Sequence, residues 1–445
     1  MIRRLMLLVG MGAAAPAVSA QQPISPERYT LDNGLTVYLV PIAGAPVVTV
    51  NVWYNVGSRN ERPGRSGFAH LFEHMMFQGS AHVAKGEHFQ LVQRAGGNVN
   101  GTTNEDRTNY FETLPANRLN LGLWLEADRM RSLAITDENF ENQRQTVKEE
   151  RRLRVDNQPY AGAFVEGLTR AYDSTACYPY SHSVIGSMAD LDAARTPDVR
   201  AFFDLYYAPN NATVTVVGDF EPAEAKRLIA QYFGDLARGA APPPVECTGR
   251  YEGEPERLVW EDRLANLPAA LVAYRIPPHR DADTRPLTLL ATILGSGESS
   301  RLNRALVREQ QVAAQAVAFL DSRRGPGLVI ALAIANQGQT ADTLAAALHG
   351  ELARIAREGV TAEELEKARN AYRAERVFER QTSMGIAEAI QHYAHYHDAV
   401  AEINSDLARY LSVTAADLQR VAQRYLVPEN SLTVLVVPSQ RGVQP

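Results

Sequence analysis

An internal repeat constrains this chain more than any other feature. Residues 197–219 read PDVRAFFDLYYAPNNATVTVVGD, and residues 416–438 read ADLQRVAQRYLVPENSLTVLVVP. At an offset of 219, Asp198 matches Asp417, Tyr206 matches Tyr425, Pro209 matches Pro428, Asn211 matches Asn430 and Val217 matches Val436. A second pair, TDENFENQRQTVKEER at 136–151 and TAEELEKARNAYRAER at 361–376, matches at an offset of 225. Its identities include Thr136/Thr361, Glu141/Glu366, Arg144/Arg369 and Glu150/Glu375. Amphipathic helices resemble one another by chance, but two matches in the same order at nearly equal offsets mark a duplication. A length of 445 residues is also too great for one ordinary domain.

The local patterns say what each half is made of. Residues 29–40, YTLDNGLTVYLV, read as a hairpin with Asn33-Gly34 in the turn. In VVTVNVWYNV (47–56), Val48, Val50, Val52, Tyr54 and Val56 fall on one face, as in a half-buried strand. Stretches 66–78, 117–131 and 137–154 are helix-like, and 213–218 is a β-branched strand. RGAAPPPVECTGR at 238–250 breaks every periodicity. The expectation is an α+β chain of two duplicated domains, each an antiparallel β-sheet with helices packed on one face. The domains span 21–238 and 251–445, with a Pro-rich linker at 239–250.

Residues 1–20 stand outside that scheme. Arg3 and Arg4 precede an apolar run, and Val18-Ser19-Ala20 is a small-residue cleavage signature. This reads as a secretory signal peptide cut before Gln21, so the chain is expected in the periplasm or secreted, with no stable membrane insertion. Its loss takes the net charge from −6 to −8, which gives no reason to expect a nucleic-acid partner. Two cysteines exclude a disulfide-dense scaffold and a cysteine-only zinc site. Export permits Cys177 and Cys247 to pair, and the sequence leaves open whether they do.

One constellation carries chemistry. In SGFAHLFEHMMFQG (66–79), His70, Glu73 and His74 form H-x-x-E-H. On a helix, positions i and i+4 lie about 40° apart in projection, so both imidazoles point the same way and suit a divalent metal such as zinc. Glu73, at i+3, lies on the same side and can act on a water without being a ligand. The apolar residues around the histidines bury the helix, and buried imidazoles need partners. Glu150, in the carboxylate-rich VKEERR, is a candidate third ligand.

GFAHLFEHMMFQGS, GGNVNGTTNEDRTNYFETLP, QTVKEERR, YSHSVIG and VVGD resemble the pitrilysin family in order and spacing. That family includes insulin-degrading enzyme and the mitochondrial processing peptidases, and the short bacterial members look closest. The resemblance runs from about residue 27 to residue 438. It implies one zinc per chain, held by His70, His74 and Glu150, with Glu73 as the general base against a peptide carbonyl. Glu149 is the rival ligand, but one residue on a helix turns it by about 100°. The segment 97–104 resembles the family's substrate-binding edge strand, so Asn98, Asn100, Gly101 and Thr102 are expected to contact an extended peptide.

Two departures matter. Where the family often has a second Glu, seven residues before the ligand Glu, this chain has Gln143, expected beside the metal ligands. Where the family often has an Arg and a Tyr seven apart, ALVREQQVAAQ at 305–315 keeps Arg308 but puts Gln315 at the Tyr position. At the 219 offset, His70, Glu73 and His74 become Leu289, Thr292 and Ile293, so the second half holds no metal by this motif.

The expected function is a zinc metalloendopeptidase acting on peptides or unfolded segments bound as an extended strand in a two-half chamber. The missing Tyr points to a dimer, and a heterodimer with a related subunit that lacks H-x-x-E-H stays open beside a homodimer. The rival is a non-catalytic assembly subunit, against which the intact His70, Glu73, His74 and Glu150 set argues. His392, His395 and His397 cluster in QHYAHYHD and read as a packed or surface helix, while His82, His88, His182, His279 and His349 look isolated. GSGESSRL (295–302) lacks the Lys-Ser/Thr of a P-loop.

Overall fold

The computed structural model describes residues 23–247 and 256–439. The signal peptide expected at 1–20, and residues 248–250 of the expected linker, lie outside the described residues. The first sheet comprises β1 (Glu27–Thr30), β2 (Thr36–Pro41), β3 (Val47–Tyr54), β4 (Asn98–Thr103), β5 (Thr108–Pro115) and β6 (Ala212–Gly218). The second comprises β7 (Glu256–Asp262), β8 (Ala269–Ile276), β9 (Ala313–Asp321), β10 (Gly327–Ala335) and β11 (Ser431–Pro438). Their strand orders are β1-β2-β6-β3-β5-β4 and β7-β11-β8-β10-β9. Without β1, the two orders are the same. Each sheet is antiparallel except for one parallel pair, β2/β6 in the first and β7/β11 in the second.

The helices repeat with the strands. In the first half they are α1 (Phe68–Met75), α2 (Glu87–Arg94), α3 (Leu119–Ser132), α4 (Asp137–Arg151), α5 (Ala161–Val165), α6 (Met188–Ala193), α7 (Thr196–Tyr206) and α8 (Pro222–Phe233). In the second they are α9 (Thr284–Gly295), α10 (Ala341–Glu358), α11 (Ala362–Glu379), α12 (Ser383–His392), α13 (Asp406–Ser412) and α14 (Ala415–Tyr425). The repeated segments seen in the sequence are α7–β6 with α14–β11, and α4 with α11. Thr136 caps α4 by accepting from the Asn139 N–H, and its repeat partner Thr361 caps α11 by accepting from the Glu364 N–H.

In the second half this cap has acquired an ion pair. Arg301 binds both carboxylate oxygens of Glu364 at 2.7 Å, and Glu364 accepts the Thr361 N–H. Burial alone would raise the Glu364 pKa, but the Arg301 hydrogen bonds and charge outweigh it and hold the group at about 2. A depressed folded-state pKa stabilises the fold above the unfolded value of 4.5, and the contribution disappears as pH falls toward 2. Glu364→Gln should therefore cost about 1–2 kcal/mol at neutral pH. The variant should lose less stability than the parent between pH 4.5 and 2, read by denaturant titration.

Each half has its own apolar core between its sheet and its helices. The opposite face of each sheet is covered by the other half. Leu168, Tyr172 and Tyr180 from the first half pack on Leu271, Ile330 and Val434 of the second sheet. Ile386 and Ile390 on α12 pack on Tyr38, Val40 and Val217 of the first. This exchange alters the half-buried reading of β3. Val48, Val50 and Val52 are fully buried as expected, but so are Thr49 and Asn51 on the opposite face. Thr49 pairs with Ser383 at 2.8 Å, and Asn51 donates to Glu388 at 2.6 Å. Polar residues sit there because α12 brings polar partners to them. Cys177 and Cys247 are joined as a disulfide that ties residues beyond α8 back to the first half, closing a loop of 70 residues. A bond closing a loop of that size typically contributes about 2–4 kcal/mol.

Candidate metal centre

The helix bearing the histidines is held at its start. Gly67 precedes α1 with φ of +90°, and a Cβ there would lie 2.9 Å from the Ile185 carbonyl oxygen. The buried Glu61 carboxylate accepts the N–H groups of Gly67 and Ala69, each at 2.8 Å. It thereby satisfies donors that a helix N-terminus leaves without partners and complements the helix dipole. His182 Nε2 lies 3.1 Å from the same carboxylate. Phe68, Leu71, Phe72 and Met75 fill the core. The helical period then leaves His70, Glu73 and His74 on the side facing a cavity.

α4 packs beside α1 and brings in the carboxylate. His70 Nε2 lies 3.6 Å and His74 Nε2 3.1 Å from Glu150 Oε2. One donor atom from each of the three residues lies within 4.8 Å of the others. Burial, reinforced by the His74 charge, pushes the His70 imidazole down to about 4, so its lone pair is free at neutral pH. The hydrogen bond with His74 holds the Glu150 carboxyl below its usual value. Burial pushes the Glu73 carboxyl above its ordinary value. Glu149 points elsewhere: it is exposed and binds Arg152 at 2.9 Å. Two imidazole nitrogens and one carboxylate oxygen converging in this way fit a zinc ion with one position left open.

The cavity beside these residues has a volume of about 910 Å³. Both halves line it, with Asn100, Gly101 and Thr102 on one side and Phe319, Asp321 and Arg323 on the other. β4 pairs only with β5 and forms the edge of its sheet, so its outer N–H and C=O groups are open to a further strand. Gly101 lies against the Tyr110 ring, where a Cβ would come within 3.0 Å.

The remaining expected residues fall differently. Asn98 is on β4 but does not line the cavity. Gln143 is buried on α4 and donates to Asn142 at 2.7 Å; no hydrogen bond joins it to His70, His74 or Glu150 among the described residues. Arg308 is not brought to the cavity: it is exposed and pairs with Glu298 at 2.9 Å. Gln315 is exposed on β9. The arginines that do line the cavity are Arg154, 2.8 Å from Glu150 Oε1, and Arg323, 2.9 Å from Glu105. The i,i+4 spacing of Glu150 and Arg154 was a legible signal for the first. Nothing local marks Arg323, Glu61 or His182.

In the second half, α9 stands where α1 stands in the first. Leu289 and Ile293 are buried in its core, and Thr292 donates to the Thr288 carbonyl. Glu375 is exposed and pairs with Arg376. Of the histidines expected to be isolated, His82 binds Asp128, His182 binds Glu61, His349 binds Tyr274 and His279 meets His392 and His397, while His88 is buried beside Glu112 and Glu126 with its Nε2 unpaired among the described residues.

Residues 36–172 match the family described as Insulinase (Peptidase family M16), and residues 195–372 match Peptidase M16 inactive domain. The chain is 31% identical over 436 residues to Zinc protease PqqE of Helicobacter pylori, covering 97% of each. It is 23% identical to a probable mitochondrial-processing peptidase subunit beta of Arabidopsis thaliana, covering 92% of this chain and 78% of that one. The crystal structure of a protease from Helicobacter pylori superposes with a TM-score of 0.88 at 30% identity, covering 93% of this chain and 99% of that one.

Proposed function

The chain belongs to the M16 family of peptidases, and from that premise we propose that it is a zinc metalloendopeptidase. It would cleave peptides or unfolded polypeptide segments that lie as an extended strand along β4, in the cavity between its halves. The observation that carries this reading is the convergence of His70, His74 and Glu150 at the wall of that cavity, beside a free strand edge.

In this reading the His70 and His74 imidazoles and the Glu150 carboxylate hold one zinc ion. Bound there, zinc supplies Lewis acidity, polarising a carbonyl and lowering the pKa of a water toward about 7. Glu73 takes the proton from the attacking water on its carboxylate and returns it to the leaving amide nitrogen. β4 orients the substrate by main-chain hydrogen bonds, which register an extended backbone without demanding particular side chains. Its Gly101 keeps the backbone bare. The second half closes the cavity with β9 and β10 and contributes no ligand.

Residues 1–20 act as an export signal, 21–238 form the zinc-bearing domain, 239–250 the linker and 251–445 the duplicate. A Cys177–Cys247 disulfide suits an oxidising compartment. Among the described residues, no helix is long and apolar enough to cross a membrane. Arg308 and Gln315 both stand away from the cavity, and the proposal includes a dimer, either of two copies of this chain or with a related subunit that lacks H-x-x-E-H and supplies the Arg/Tyr pair. Full activity of this chain purified alone would remove the related subunit from it.

The test is metal removal. Chelator-treated protein should lose cleavage of an unfolded polypeptide to background, and added zinc should restore it. Cleavage that survives complete removal of metal would refute the proposal.

A further inference from the structure

A second group of metal-binding side chains lies outside the cavity, in the C-terminal half. His279 sits in the loop after β8, His392 ends α12, and His397 ends the π-helical turn Tyr393–His397. They are 113 or more residues apart in the chain across the first gap, yet one ring nitrogen of each lies within 4.8 Å of the others. His279 Nε2 and His397 Nε2 face each other at 2.9 Å. His395, in the same turn, points the other way, against Trp53.

The far sides of the rings are held as ligand imidazoles are held. His279 Nδ1 lies 2.7 Å from Ser322 Oγ, and His397 Nδ1 lies 3.5 Å from Glu402. These contacts hold the Nε2 atoms of both rings at the shared centre, where one donates its proton to the other and an ion would take that proton's place. Burial keeps all three imidazoles below their usual pKa, and His279 at about 4, so they are neutral at pH 7. Among the described residues, four arginines stand near: Arg280 is paired with Asp398, Arg285 with Asp406 and Arg376 with Glu375 and Glu379, while Arg107, beside His392, binds Thr102 and Asn109. All three histidines are partly exposed, which leaves an ion a path in. A plain hydrogen-bonded network accounts for the His279–His397 contact, but it gives the adjacent His392 ring nitrogen no role.

We propose that His279, His392 and His397 form a second metal site, for a divalent ion of the zinc, nickel or copper class that favours imidazole. The site is structural. It joins the loop after β8 to the end of α12, the helix whose Ile386, Glu388 and Gln391 cover the first sheet. It therefore fastens the second half's covering helix to its own sheet, and through it steadies the pairing of the halves. Its role does not depend on the cavity chemistry.

Zinc counting tests it. After zinc loading and desalting, the wild-type chain should retain two zinc ions by elemental analysis. The His70→Ala/His74→Ala variant should retain one, and its melting temperature should rise by several degrees on zinc addition. His397→Ala should also retain one, with peptidase activity kept. A His70→Ala/His74→Ala chain that holds no zinc and shows no thermal shift would overturn the second site while leaving the catalytic one standing. If His397→Ala does not fold, the wild-type count still decides: one zinc per chain overturns the proposal.

Discussion

Glu73→Gln will lower peptide hydrolysis by about 10²–10⁴-fold, the usual contribution of a positioned acid–base group, while zinc content and melting temperature stay unchanged. The side chain lies on α1 between the two histidines in sequence and faces the cavity. It is not one of the three converging donors, so the amide removes a proton acceptor without removing a ligand. The amide keeps the shape and fills the same space, so packing against β4 is preserved. The loss should fall on kcat, because β4 positions the substrate whether or not residue 73 can take a proton. A variant that loses zinc together with activity would make Glu73 a ligand instead.

The second large effect separates two neighbouring carboxylates. Glu150→Gln should weaken zinc binding by about 100-fold or more and take activity with it, whereas Glu149→Gln should change neither. The chemistry of the two changes is the same, so the difference is purely geometric. Glu150 lies within 3.6 Å of both imidazoles, and Glu149 is exposed beside Arg152. An exposed pair of the Glu149–Arg152 kind contributes under about 1 kcal/mol, so its loss should leave folding intact. Equilibrium dialysis against a zinc buffer reads both variants directly.

The parts of this site that were legible in the sequence are those set by helical geometry. H-x-x-E-H places His70 and His74 on one face, and a turn of about 100° separates Glu149 from Glu150. The repeat was legible because duplication leaves identical caps and turns, such as Thr136 with Thr361 and Asn211 with Asn430. Contacts between distant segments were not. Glu61 orders the start of α1 with help from His182, 121 residues away, and no local period records that. The buried Thr49 and Asn51 look like a solvent face in sequence, because their partners Ser383 and Glu388 are more than 330 residues away. His279 looked isolated for the same reason. Arg308, part of a matching local motif, stands exposed on the helical segment Asn303–Glu309, paired with Glu298 and not among the residues lining the cavity.

The most direct test of the account is anomalous scattering at the zinc edge from crystals of Glu73→Gln soaked with an extended peptide. The account predicts a zinc peak bounded by His70 Nε2, His74 Nε2 and Glu150, with the peptide paired alongside β4. No peak at that position in zinc-loaded crystals, or a peptide bound away from β4, would contradict it.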